Sequence, residues 1–250
     1  MSGHNKWSKI KHQKAVNDVR TSKIFSRLNK EISTAVKLGG SDPESNPRLK
    51  VAIQNAKGQN MPKSNIERAI KKAAGEDNTT YKEVTYEGYG PHGVAIFVEA
   101  GTDNINKIVA NIRYYFNKYN GNLSKSGSLD FIFDQKGVFT LAQPEAYSKE
   151  DLELELIDAG AEEIEQDEED GEIVITTAKD DFGAMQDKLE ELGIEPKNAA
   201  LKRVPKITKT LSADEFQDVN KLLEKLEEDV DVQNVYHNVE YTQEIAEQLS

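Results

Sequence analysis

The chain has 250 residues, 32 Lys and Arg against 44 Asp and Glu, a formal net charge of −12 and no cysteine. Disulfides, thiolate catalysis and cysteine-based metal sites are therefore excluded, and no apolar run approaches the roughly 18 residues of a membrane span. The charge is segregated: residues 1–80 hold 16 Lys and Arg and 7 Asp and Glu, whereas residues 81–250 hold 16 and 37. A basic head on an acidic body suits a polyanionic partner.

Residues 1–21 are a basic arm with few apolar positions. It has no apolar stretch of the kind a signal peptide carries, so a cytoplasmic protein is expected. Trp7, the only tryptophan, sits between Lys6 and Lys9, with Lys11, Lys14, Arg20, His4 and His12 nearby. An aromatic among cations stacks on a splayed base or slots between phosphates; the alternative is that Trp7 packs onto the helices that follow. The spacing predicts a helix over Ser22–Leu38, with Ile24, Phe25, Leu28, Ile32, Ala35 and Val36 on its apolar face. Lys23, Arg27, Lys30 and Lys37 fall in a narrow arc on the opposite side. Such a row either tracks a phosphate backbone or is the solvated face of an ordinary amphipathic helix.

A break at Gly39–Pro43 precedes a second helix, with Asn46 as cap and Pro47 in its first turn. Its core face is Leu49, Ala52, Ile53 and Ala56, and Gly58 ends it. A third helix is predicted from Ser64, with Glu67 completing a capping box and Ile66, Ala69, Ile70 and Ala73 as its stripe. Lys63, Arg68, Lys71 and Lys72 add positive charge there. The head thus reads as three helices plus an arm.

After a polar linker the hydrophobic period changes to two. Val84–Glu87 and Val94–Val98 are predicted strands. The turn between them, Gly88-Tyr89-Gly90-Pro91-His92-Gly93, spells G-x-G-x-x-G, but a strand follows it. A dinucleotide loop needs a helix at that point, so a plain turn is the reading. Next come a helix over Asp103–Tyr119, strands over Leu129–Phe133 and Val138–Leu141, a helix over 148–159, a strand over Ile173–Thr177 and a helix over Asp181–Leu192. The chain ends with a strand over Ala200–Val204, a helix over Ser212–Glu228 and a strand over Val232–Tyr241.

Residues 138–204 follow the β-α-β-β-α-β order of a ferredoxin-like domain. Residues 84–133 lack one α-β pair, which 212–241 supply. The expected fold is α+β. An N-terminal three-helix domain (1–80) precedes two ferredoxin-like α/β domains, the second (136–206) inserted into the first (81–135 plus 207–250). The insert is the more acidic, with 8 Lys and Arg and 20 Asp and Glu. Within it, Ala161–Glu172 carries eight acids in twelve residues. It lacks the spacing and mid-loop glycine of a calcium loop and reads as a solvated stretch running into an Asp170-Gly171 turn.

The four histidines, His4, His12, His92 and His237, are scattered, and no nucleophile elbow, Walker loop or zinc-protease motif occurs. A non-enzymatic protein with no cofactor and no metal is expected. Its partner is nucleic acid, not a membrane.

Several blocks are distinctive: Gly3–Trp7, Ile10–Ala15, Asn60–Lys72 and Tyr86–Ala95. Through them the whole chain resembles the YebC/PmpR family. The resemblance implies a three-domain fold and a non-enzymatic regulator. Members are described as DNA-binding transcriptional regulators, and others, including a mitochondrial relative, look like ribosome-associated translation factors. The family's basic signature falls here on His4, Lys6, Trp7, Lys9, Lys11, His12 and Lys14, with Arg20 and Lys23 following. The chain departs from common family residues at Asn5, Ser22, Ser64, His92 and Gly101. Two functions follow as expectations: a DNA-binding transcriptional regulator with modest sequence specificity, or a ribosomal-RNA-binding translation factor. A small-molecule-sensing or enzymatic protein built on the ferredoxin-like repeats, with the head as an accessory, is a third.

Overall fold

The computed structural model describes residues 18–75, 80–144, 146–166, 171–242 and 244–245. By packing they group into two units. The first holds the described residues up to Lys30, those from 80 to Asp134 and those from Arg203 on; the second holds Glu31 to 75 and Gln135–Lys202. The fold is mixed α and β, with two four-stranded sheets.

In the first unit, β1 (Lys82–Tyr89) and β2 (Ala95–Thr102) form a hairpin in register from Lys82–Thr102 to Tyr89–Ala95. Its loop is a short 3₁₀ turn, Pro91–Gly93, closed by the Gly90 amide on the Val94 carbonyl at 2.8 Å. His92 takes a left-handed φ of 58° there. The glycine pattern therefore builds a hairpin loop followed by a strand. The helix α4 (Ile105–Lys118) leads to β3 (Asn122–Leu123) on the far side of β1. Later, α7 (Ala213–Glu228) leads to β8 (Val232–His237) beside β2. The sheet order is β3-β1-β2-β8.

β2 is buried on both faces, which is why it reads as a nearly unbroken apolar run. On one face Ile96 and Val98 pack with Ile108, Ile112 and Phe116 of α4 and Phe216, Val219, Leu222 and Leu226 of α7. On the other, Phe97 packs with Leu129, Ile132, Phe133 and Tyr236. The expected strand over Leu129–Phe133 is instead a turn as far as Ile132, and Phe133 opens a longer strand. Leu129, Ile132 and Phe133 are buried while Asp130 and Phe131 are exposed, a spacing of three to four that suits a helical turn covering the sheet. The last strand stops at His237. The Asn238 amide still donates to the Ala95 carbonyl at 3.2 Å, but its side-chain Oδ1, in place of its carbonyl, accepts from the Ala95 amide at 2.8 Å, and its Nδ2 donates to the Ile207 carbonyl at 3.0 Å.

The second unit contains α2 (Pro47–Gly58) and α3 (Lys63–Ala74). It also contains β4 (Phe133–Ala142), α5 (Lys149–Asp158), β5 (Ala161–Gln166), β6 (Glu172–Ala178), α6 (Phe182–Glu191) and β7 (Asn198–Pro205). The two outer ends, Phe133–Asp134 of β4 and the last three residues of β7, group with the first unit. The order β5-β6-β4-β7 is that of a ferredoxin-like split β-α-β pair. Phe139, Leu141, Leu152, Leu156, Ile175, Met185 and Leu189 fill its core. The stretch read as solvated is, over Ala161–Gln166, the edge strand β5, paired with β6 and bulged between Ala161 and Glu163. Acidic residues blunt an exposed edge, so the same charges that suggest a loop are those an edge strand tolerates. Gly171 has the left-handed φ of 67° that the predicted turn needs.

Asn46 caps α2 as expected, accepting from the Leu49 amide at 3.1 Å, and it also donates to the carbonyls of Ala35 and Gly40. α3 departs from expectation. It starts at Lys63 with Pro62 at the cap and no side-chain cap, so Ser64 forms no capping box. Asn55 of α2 lies against β7. Its Nδ2 donates to the Ala199 carbonyl at 2.9 Å and its Oδ1 accepts from the Ala199 amide at 2.8 Å. The side chain thus supplies the two bonds a neighbouring strand would make.

Candidate nucleic-acid interface

The expected interface divides into three parts. His4, Lys6, Trp7, Lys9, Lys11, His12 and Lys14 lie outside the described residues. Arg20 lies in the first turns of α1 (Asp18–Gly39). The row Lys23, Arg27, Lys30 and Lys37 on α1 is not one solvated face. Lys37 is exposed in its last turn and Lys23 is half-buried, but Arg27 and Lys30 turn inward.

The ammonium of Lys30 is buried and meets three oxygens: Asp231 Oδ1 at 2.6 Å, the Val230 carbonyl at 2.9 Å and the Gly101 carbonyl at 3.0 Å. It also lies 5.3 Å from the centre of the Tyr81 ring. Arg27 donates to the Glu227 carbonyl at 2.9 Å. That carbonyl belongs to the last turn of α7, where helix carbonyls have no intrahelical partner and the helix dipole favours cations. Asp231 is buried, which opposes ionisation, but Lys30 and then Lys107 outweigh that and hold its carboxyl below the ordinary range. Lys30 is thus a structural cation, and the expectation that it meets phosphate is corrected. Periodicity could not reveal this, because a cation that satisfies buried carbonyls sits on the same arc as one that faces water.

Lys63, Arg68, Lys71 and Lys72 are all exposed on α3. Arg68, Lys71 and Lys72 project opposite the stripe of Ile66, Ala69, Ile70 and Ala73 at 100° per residue. Lys63 has a long ion pair with Glu67, 3.8 Å with both side chains mostly exposed, and Arg68 donates to Asn65 Oδ1. Exposed pairs of this kind hold their charges weakly, so α3 presents cations that a phosphate chain can recruit. Lys57, exposed in the last turn of α2, belongs to the same unit and escaped the sequence reading.

His92, the one histidine on the hairpin loop, faces Glu215 at 3.6 Å and Asp218 at 3.4 Å. Among the described residues no group of three His, Cys, Asp or Glu is placed to hold a metal ion, and no helix is long and apolar enough to cross a membrane.

The comparisons with known proteins are consistent along the chain. A family model described as the TACO1/YebC protein N-terminal domain matches residues 5–76, and one described as the TACO1/YebC second and third domain matches residues 81–239. A probable transcriptional regulatory protein of Amoebophilus asiaticus is 48% identical over 239 residues, which cover 96% of this chain and 98% of that protein. One from Geotalea uraniireducens is 46% identical over 245 residues, 98% of each. The crystal structure of a conserved hypothetical protein from Aquifex aeolicus superimposes with a TM-score of 0.79 at 42% identity, covering 91% of this chain and 93% of that one. With both family models matched along nearly its whole length, this chain belongs to the TACO1/YebC family.

Proposed function

We propose that the protein is a non-enzymatic, cytoplasmic regulator of gene expression that binds DNA through its basic N-terminal region. The observation that carries this reading is the segregation of charge, 16 cations against 7 anions in residues 1–80 and 16 against 37 in the rest. The exposed cations of α3 support it, as do the names of the relatives. We retain the division into a head (1–80), a middle domain (81–135 plus 207–250) and an acidic insert (136–206); the break between the two family models, after residue 76, supports the first boundary. In this reading the arm and α3 grip phosphates, while the acidic domains keep the body off the polyanion.

Phosphate contacts release counterions, so affinity falls steeply with salt. The test is binding of the full chain to duplex DNA and to ribosomal RNA across a salt series, for native protein and for Lys9→Glu/Lys11→Glu/Lys14→Glu. The triple reversal is expected to abolish duplex binding with an unchanged melting temperature. A flat salt response, or native affinity in the triple variant, overturns the reading. Stronger binding to ribosomal RNA than to DNA replaces the transcriptional role with a translational one.

A further inference from the structure

The acidic body contains one basic island. Residues 81–250 hold 37 Asp and Glu, yet the stretch Asn104–Leu129 holds none and carries Lys107, Arg113, Lys118 and Lys125. Its first half is α4. Ile108, Ile112 and Phe116 face the core, and Asn106, Arg113, Tyr114, Asn117 and Lys118 are exposed. At 100° per residue the exposed set spans an arc of about 140°. Tyr114 is 57% exposed. The Lys118 ammonium lies 5.8 Å from its ring centre and 5.5 Å from that of Tyr119. Among the described residues Arg113, Lys118 and Lys125 meet no carboxylate, although acids abound elsewhere in the body.

The face is firmly held. α4 is pinned through its core side, and the loop after β3 is tied down by the buried carboxylate of Glu87, which accepts from the amides of Gly127 and Leu129 at 2.7 Å each. A protein partner would have to bring a carboxylate to each cation it buries, because an unpaired buried charge is costly. A membrane would need the helix's apolar side, which is already in the core. A polyanion with exposed aromatic rings fits both the cations and Tyr114. Paired bases in a duplex are stacked on one another, so a tyrosine on a helix face reaches only unpaired ones. The amides of Asn106 and Asn117 can hydrogen-bond ribose hydroxyls, which DNA lacks.

We propose that the exposed face of α4 is a second nucleic-acid contact, separate from the basic head, that takes an unpaired stretch of RNA. A base stacks on Tyr114, and Arg113 and Lys118 hold the flanking phosphates. The test is fluorescence anisotropy of the full chain with a labelled oligouridylate of twelve nucleotides, the matching oligodeoxythymidylate and a DNA duplex. Tyr114→Ala is expected to weaken oligouridylate binding about tenfold, the effect of losing one stacked base, and Tyr114→Phe to keep native affinity. Arg113→Glu/Lys118→Glu is expected to abolish oligouridylate binding. All three variants should keep the native melting temperature and the native affinity for duplex. Absence of oligouridylate binding by the native chain, or native binding by Tyr114→Ala and the double reversal, overturns the proposal. Equal affinity for oligodeoxythymidylate overturns the assignment to RNA. The head is tested separately, because Lys9→Glu/Lys11→Glu/Lys14→Glu should act on the duplex alone.

Discussion

Lys30 illustrates how one side chain settles a role that its position leaves open. Breaking a buried ion pair by removing one partner typically costs about 3–5 kcal/mol, because the other charge stays buried. Asp231 would keep Lys107, at 3.4 Å, as a partial substitute. Lys30→Ala is therefore expected to lower stability by about 3 kcal/mol in chemical denaturation, whereas Lys71→Ala, on an exposed face, should change it little. Asp231 also sets a pH dependence. Its native carboxyl titrates below the unfolded value of about 4, so the unfolded chain takes up the proton first as the solution is acidified. The stabilisation is complete above about pH 4 and drains away as pH falls through the lower native value. Asp231→Asn should flatten that part of the stability curve; an unchanged acid limb would show that the pair contributes nothing there.

Most elements were legible from hydrophobic period and caps. The head helices and the helix α7 follow from local rules, whereas in the ferredoxin-like order of 138–204 one strand, β5, was not located. The departures have physical causes. Leu129–Phe133 carries enough apolar and aromatic residues for a strand, but only Phe133 joins one and the rest pack as a turn. β5 hides its inward anchors, Ala161 and Ile164, among acids. Gly58 is the sharpest case. As a helix-ending glycine it reads as a conformational choice, and a helix-terminal glycine replaced by alanine would gain up to about 1 kcal/mol of propensity. The structure gives a different reason. A Cβ on Gly58 would lie 1.8 Å from the Lys197 carbonyl oxygen, because α2 runs directly against the backbone leading into β7. Gly58→Ala is thus expected to destabilise by about 1–3 kcal/mol through overpacking. A rise in melting temperature would favour the propensity account. The candidate interface was less legible than the fold. Cation spacing located α3 correctly on an exposed face, but it credited α1 with two residues that bond to carbonyls and passed over the acid-free stretch around α4, where what matters is the absence of a residue type.

At the scale of the molecule, charge and topology work together. Most of the negative charge lies in residues 81–250, and part of it lines a sheet rim. In the sheet β5-β6-β4-β7 one rim is β7, whose Ala199 amide and carbonyl are occupied by Asn55. The other rim, β5, has no such lid among the described residues; Glu162 and Glu163 stand exposed on it, Glu162 paired with Lys136 at 2.7 Å. One rim is closed by hydrogen bonds and the other is kept apart from its copies by like-charge repulsion, which salt screens. Two molecules meeting β5 to β5 would extend a continuous ribbon once that repulsion is screened or removed. Light scattering should therefore report reversible association as the ionic strength is raised, and Glu163→Val should bring its onset to lower salt. A variant that stays monomeric throughout would show that the open rim is guarded by shape instead of charge.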